Sequence, residues 1–396
     1  MATALRLDPP ALHVADGRSV LRAQLHVDAP IAFVPHLRLR VESGGESAES
    51  NSAESFYIAW LPRGAYRVDA ILPKVPAGPA RFSMEAWHQH AMTAARADGC
   101  EGTIELKRAT PGAPEAIAWS VESIAPAPPL ASLSWRKGHS DWFFRHFDHA
   151  ALTVMSYMLG DSPLLRGRIL DVGCGDGITD LSIALRTGCR ELVGVDPFRG
   201  YERLPRIIGE NHLPADIVPP SLRFLPESGN ALPFEDDSFD VVISWGSLEH
   251  IAGGYLQTLR EIRRVLRPEG LFFAHPGLYY SNYGHHLGEF SSEPHFHLKK
   301  PPEEVKRIVF ETKPDYMDRA GEFSPPAQYW QWFQELNPIT VGGFEKELRE
   351  LGFQPWRVAL RTEGLIEYTP EIYRYPMQDL ATCELYVSCV NLKGKS

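Results

Sequence analysis

Over roughly the first 125 residues the apolar positions fall in short runs cut by proline and glycine, with no sustained helical period. That pattern predicts an all-β, sandwich-like domain over 1–125. Within it LPRGAYRVDA (61–70) and VPAGPARFSM (75–84) repeat the pattern [LV]-P-x-G-x-x-R-[VF] at a fourteen-residue offset. Each reads as a turn followed by alternation. Tyr66, Val68 and Ala70 share one face and Arg67 and Asp69 the other, while Phe82, Met84 and Ala86 oppose Arg81, Ser83 and Glu85. Half-buried antiparallel strands follow. The stretch ESGGESAESNSAES (42–55) has almost nothing to bury and is expected to be a flexible loop between strands.

The prolines of PGAPEAIAWSVESIAPAPPL (111–130) favour extended backbone and put a domain boundary here, with a linker over 126–140. Helical spacing returns in DWFFRHFDHAALTVMSYMLG (141–160), and from Arg168 strands alternate with helices. A second domain over 141–396, with helices on both faces of a parallel sheet, is the expectation. Its sharpest local signal is RILDVGCGDGITDLSIALR (168–186), an apolar strand that runs into Gly173-Cys174-Gly175-Asp176-Gly177 and then a helical pattern. Alternate glycines let the chain turn sharply and let a ligand approach the main chain, while the helix start presents free N–H groups. Nineteen residues after Gly177, Asp196 ends a second strand, ELVGVDP. A carboxylate there is placed to accept hydrogen bonds from both ribose hydroxyls of a nucleoside cofactor. NAD remains arithmetically open. Against it, G-x-G-x-G lacks the spacing suited to a pyrophosphate, and Asp171 would repel a diphosphate but suits an amino group.

Length adds that 396 residues exceed one ordinary core and suggest two domains. Hydrophobic residues make up 44% without any run of about eighteen, so a soluble chain with no membrane span is expected. The N-terminus lacks a basic flank followed by an apolar core, which makes a cytoplasmic location the default. Five dispersed cysteines, none spaced C-x-x-C, suggest reduced thiols and no thiolate zinc site. A formal charge of −10 gives little drive toward a phosphate backbone, so nucleic acid is not the expected partner.

Residues 165–276 resemble the core of class I S-adenosylmethionine-dependent methyltransferases of the small-molecule, type 11-like branch. The resemblance is carried by ILDVGCGDG, the strand-end Asp196, FLPESGNALPFEDDSFDVVIS (224–244), WGSLEHI (245–251) and REIRRVLRPEGLFFA (260–274). It implies a Rossmann-like α/β fold with a mostly parallel seven-stranded sheet, and S-adenosylmethionine as cofactor. By the same resemblance Asp171, Gly173, Cys174, Gly175 and Gly177 surround the methionine portion, and Asp196 with Pro197 beside it takes the ribose. Asn230 and Ala231 lie at the adenine edge, and Ser244 and Trp245 beneath the sulfonium. The family commonly has Asp where this chain has Asn230, so the adenine contact there loses charge assistance.

Methyl transfer from a sulfonium is an in-line displacement, for which the protein positions a nucleophile and, for a hydroxyl, removes its proton. The chain has Ser244-Trp245-Gly246-Ser247 in place of [DNS]-P-P-[YFW], which takes support from methylation of amino groups. Glu249 and His250 follow, either facing the pocket or serving as a helix cap and a wall residue. HPGLYYSNYGHHLGEFSSEPHFH (275–297) opens a substrate-lid insertion at about 277–340, beyond the carboxyl end of a strand. Within it His285 or His286 is the candidate general base, only one of the pair being able to face the pocket. The competing reading is an aromatic lid packed by Tyr279, Tyr280, Tyr283 and Phe296, to which QYWQWFQEL (328–336) would belong. His295-x-His297 with Glu289 or Glu293 is the metal reading, but zinc would be an unusual companion for this chemistry and no metal is expected.

For the acceptor, a sugar hydroxyl of a polysaccharide or glycolipid is preferred, because the 61–84 strands resemble the β-sandwich sugar-binding domains of polysaccharide-associated proteins. The alternatives are a small natural product or lipid, and a non-catalytic glycan-binding adaptor. A dimerising role, giving a homo-oligomer, is the other use of the first domain.

Overall fold

The computed structural model describes residues 5–15, 18–27, 36–51, 64–90, 93–106, 116–123, 142–211, 213–314, 324–363 and 365–394. The chain divides into two compact units, Met1–Tyr157 with Asn211–Ile217, and Met158–Glu210 with Val218–Ser396. The expected linker at 126–140 lies outside the described residues.

The first unit is built from β1 (Leu5–Leu7), β2 (Ala11–Ala15), β3 (Arg18–Val27), β4 (His36–Ser43), β5 (Glu46–Asn51), β6 (Gly64–Ile71), β7 (Gly78–His90), β8 (Thr93–Leu106) and β9 (Ala118–Ser123). They form one sheet in the order β1-β3-β6-β9, with β2 on β3, and another in the order β5-β4-β7-β8. Alternation in both sends apolar side chains into one core: Leu21, Leu25, Tyr66 and Val68 from the first, Leu37, Leu39, Met84 and Ala86 from the second. Asp69, buried on the opposite face of β6, is held by Arg22 through two hydrogen bonds of 2.7 and 2.8 Å from its registered position on β3.

One expectation is corrected here. Residues 42–51 are not a flexible loop but the turn of a hairpin, β4 and β5 pairing from Arg38↔Asn51 to Ser43↔Glu46. Gly44 and Gly45 take φ of 58° and 83°, the left-handed pair that a two-residue hairpin turn demands. As an edge strand, β5 needs only Ala48 against the core, which its polar composition concealed.

The second unit carries β10 (Arg168–Val172), β11 (Glu191–Val195), β12 (Leu222–Leu225), β13 (Phe239–Trp245), β14 (Leu266–His275), β15 (Phe353–Thr362) and β16 (Thr382–Asn391). The sheet order is β12-β11-β10-β13-β14-β16-β15. Strands β12 to β14 run parallel, and β16 is antiparallel to both its neighbours. Because β10 is followed by β11 on one side and has β13 on the other, the loops leaving β10 and β13 diverge and open a crevice at their carboxyl ends. Leu170, Val172, Val242, Phe272 and Val387 fill the core on one face with Leu259, Ile262, Phe344 and Leu348 from the helices Leu256–Val265 and Val341–Glu350. Beyond β14, Leu287, Phe290, Phe296, Val305, Val309 and Tyr329 form a small core of their own. No described helix is long and apolar enough to cross a membrane.

Candidate active site

The loop between β10 and the helix Ile178–Thr187 is left-handed at all three glycines, with φ of 84°, 54° and 75° at Gly173, Gly175 and Gly177. Two of them are also forced by neighbours. A Cβ at Gly173 would stand 2.2 Å from the Ser247 Cβ, and one at Gly177 would stand 2.5 Å from Phe224 Cζ; at Gly175 nothing lies within 4 Å. The loop is therefore packed on two sides and open at its middle glycine. Asp196, buried at the end of β11, fixes it there: its carboxylate accepts from Gly175 N at 3.0 Å and from Phe198 N at 2.8 Å. Ser244 and Ser247 both donate to Val172 O, at 3.0 and 2.9 Å, and so tie the end of β13 to the end of β10.

Asp171 is joined under the loop by a residue the sequence did not single out, Asp180 in the first turn of the helix. Asp180 is fully buried, and both of its oxygens and Asp171 Oδ1 meet no hydrogen-bond donor. Burial, then the Asp180 and Asp196 charges, push the Asp171 carboxyl well above the usual range. Burial pushes Asp180 up to about 7. Two neighbouring buried carboxyls hold a proton between them until a cation arrives. This donor set fits S-adenosylmethionine: buried carboxyls for its ammonium, the open side of Gly175 for close approach, and Asp196 for a ribose.

The other cofactor candidates divide. Cys174 is buried, and burial raises its thiol well above the ordinary range. Pro197 and Ala231 are exposed beside Asp196 and Asn230. Asn230 is engaged within the protein at both ends of its amide, accepting from Thr258 Oγ1 at 2.7 Å and donating to Ala252 O at 3.2 Å. Trp245 lies across β13 and β14 against His275, ring centroids 4.6 Å apart, and against Tyr386 on β16 at 5.6 Å.

Of the four candidate catalytic residues, three come together. Glu249 is 2% exposed in the short turn Leu248–His250 after β13. Its Oε1 lies 4.0 Å from His250 Nε2 and 3.8 Å from His286 Nε2. The His250 and His286 rings meet edge to face at 4.7 Å. Asn337, which carried no sequence signal, clamps this turn: its Nδ2 lies 3.0, 3.2 and 2.9 Å from the carbonyls of Leu248, Glu249 and Ile251, and its backbone N donates to Glu249 O.

His285 does not join them. It is fully buried between Phe296 and His297, and its Nδ1 accepts from Leu287 N at 2.9 Å. Burial, reinforced by the neighbouring imidazoles, pushes its pKa down to about 2, so the ring stays neutral. His295-x-His297 is likewise no ligand pair. His295 Nε2 donates to Leu380 O and His297 Nε2 to Tyr279 O, carbonyls of two different segments. Those contacts belong to the packed segment that follows β14. Tyr329 of the helix Pro326–Gln334 closes on Phe290 at 4.9 Å, while Tyr283 is exposed. The segment between β15 and β16, unmarked in the sequence, adds Ile372 and Leu380 to Leu298, Tyr279 and Tyr280.

Comparison with known proteins bears on the same stretch. Residues 170–274 match the family model described as a methyltransferase domain. The chain is 31% identical over 140 residues to a tRNA U34 carboxymethyltransferase of Hahella chejuensis, covering 34% of this chain and 41% of that protein. It is 31% identical over 131 residues to a ubiquinone biosynthesis O-methyltransferase of Azorhizobium caulinodans, covering 33% and 46%. The chain thus spans less than half the length of these curated relatives. Among solved structures, a geranyl diphosphate C-methyltransferase of Streptomyces coelicolor aligns over 62% of this chain and 80% of that one, at 14% identity and a TM-score of 0.40. The stretch matched by the methyltransferase-domain model holds the glycine loop, Asp196, Trp245 and Glu249.

Proposed function

We propose that the chain is an S-adenosylmethionine-dependent O-methyltransferase whose acceptor is a hydroxyl group, a sugar hydroxyl of a polysaccharide or glycolipid being the preferred case. The observation that carries this reading is the Glu249, His250 and His286 cluster. It begins two residues after Ser247, the residue against which the glycine loop is packed, so proton-accepting groups stand beside the cofactor crevice. When bound, S-adenosylmethionine supplies an electrophilic methyl group on a sulfonium. Asp171 and Asp180 would hold its ammonium, and Asp196 its ribose while keeping the loop closed on Gly175. The segment after β14, which has an aromatic core of its own, would serve as the lid that excludes water. An acceptor hydroxyl held beside the cluster of Glu249, His250 and His286 would give up its proton there while the cofactor would supply the methyl group to its oxygen.

The aromatic lid and the N-terminal β-sheets support a glycan. A relative named for ubiquinone biosynthesis favours the second reading, a small natural product or lipid hydroxyl. The −10 charge argues against carrying over the tRNA substrate named for other relatives. The test is release of S-adenosylhomocysteine with glycan extracts, glycolipids and small phenols as acceptors, with product mass read for a methyl gain. Cofactor binding without product on any hydroxyl acceptor would instead mark a glycan-binding adaptor.

A further inference from the structure

We propose that Glu249, His250 and His286 form a binding site for one divalent first-row transition-metal ion. One ligand atom from each residue lies within 4.8 Å of the others. A metal at about 2.1 Å from nitrogen and oxygen ligands separates adjacent ligand atoms by roughly 3.0–3.5 Å. The separations of 3.8 and 4.0 Å from Glu249 Oε1 therefore close by about half an ångström, within reach of small side-chain rotations.

Three further features show a built site. His286 takes φ of 51°, a left-handed conformation that a residue with a side chain adopts at a cost and that presents its ring to Glu249. Gly277 keeps the space open, since a Cβ there would stand 2.6 Å from Glu249 Oε1 and 2.9 Å from His286 Nε2. Asn337 fixes the Glu249 turn from behind. Two imidazoles and one carboxylate favour zinc, iron(II), cobalt or nickel over magnesium and calcium, which prefer all-oxygen shells.

Three protein ligands leave coordination positions open, and the His286 side chain is 36% exposed. One carboxylate against a dication leaves a net charge of +1, which favours an anionic oxygen. Resting on the hydroxyl-acceptor reading, the ion's task is to bind the acceptor oxygen and lower its pKa. The O–H proton then passes to water, and the metal-held oxygen forms the new bond to the methyl carbon as the carbon–sulfur bond breaks.

The experiment uses the full chain, stripped with chelator and titrated with Co2+ and with Zn2+ by absorption and calorimetry. One equivalent is expected to bind, with affinity falling more than about tenfold in each of His286→Ala and Glu249→Gln. A His13→Ala variant should bind as wild type. S-adenosylmethionine binding, measured on the same samples, reports that the variants are folded and tests the cofactor reading separately. No saturable binding by the wild type, or equal affinity in the variants that still bind cofactor, overturns the metal site.

Discussion

Gly175 and Gly177 lie two residues apart in the same loop, yet adding one methyl group to each is expected to do different things. At Gly177 the backbone sits at φ 75° and the new Cβ would lie 2.5 and 2.9 Å from Phe224 Cζ and Cε1. A left-handed alanine costs about 1–2 kcal/mol, and overpacking a filled site about 1–3 kcal/mol. Phe224 cannot yield freely, because it stacks on Tyr201 at 5.0 Å and 7°. Losing that stack adds roughly 1 kcal/mol. Gly177→Ala should therefore cost about 3–6 kcal/mol, a Tm drop of roughly 10 °C or more for a unit of this size. At Gly175 the φ of 54° carries the conformational cost alone, about 1–2 kcal/mol, since no atom lies within 4 Å. Its methyl group projects into the space where the cofactor approaches, so Gly175→Ala should lose cofactor affinity by more than about tenfold while unfolding only a few degrees earlier. Scanning fluorimetry and calorimetry with S-adenosylmethionine read both quantities. Wild-type cofactor affinity in Gly175→Ala, or a Tm for Gly177→Ala no lower than that of Gly175→Ala, would refute the assignment of one face of the loop to ligand and the other to packing.

Other outcomes follow from the buried titratable groups. The folded pKa of Asp180 is raised to about 7 from an unfolded value of 3.8, so the native state binds the extra proton. The stability this contributes is complete below about pH 4 and is lost as pH rises through 7; urea midpoints at pH 5 and 8 should differ less in Asp180→Asn than in wild type. A cofactor ammonium favours the ionised pair, so binding should release a proton and strengthen with pH up to about 7, read by calorimetry in buffers of different ionisation enthalpy. His285→Ala should lower stability by about 1–3 kcal/mol by stranding the Leu287 N–H, and leave the pH profile of turnover unchanged, whereas His286→Ala should depress turnover with little loss of stability. Cys174, Cys189 and Cys389 are buried, with thiols pushed up by burial, so a thiol reagent should label only Cys100 and Cys383 before unfolding.

What the sequence made legible was set by local backbone requirements. The three glycines announce a left-handed loop because few other residues adopt that conformation cheaply, and the alternation at Tyr66, Val68 and Ala70 announces a buried face because a strand has no other way to sort its side chains. Partnership across long separations left no such trace. Asn337 acts on a turn almost ninety residues upstream, and Gly277 matters only because Glu249 and His286 converge on it. Histidine-rich composition could not sort the rings for the same reason: His285, His295 and His297 each have one nitrogen bonded to a backbone group, while His286, their near neighbour, is turned toward Glu249. The hairpin at 42–51 was hidden by its polarity, which an edge strand can bear when a glycine turn supplies the register.

The carboxylates around the crevice illustrate why burial alone does not assign a role. Asp196 is nearly as buried as Asp171, but two backbone N–H groups meet it, from Gly175 and Phe198, so its oxygens are engaged in holding the loop. Both oxygens of Asp180 and Asp171 Oδ1 meet no donor, and the Asp180 charge raises the cost of ionising Asp171. Glu249, equally buried, faces two imidazoles. The three environments are suited to three different partners: a neutral polyol for a carboxylate already satisfied, an ammonium for a pair that lacks a cation, and a metal ion or a hydroxyl proton for one flanked by nitrogen ligands. They follow one another from β11 through β10 to β13, and a sulfonium bonded to both the ribose and the amino-acid chain would lie between the first two and turn its methyl group toward the third.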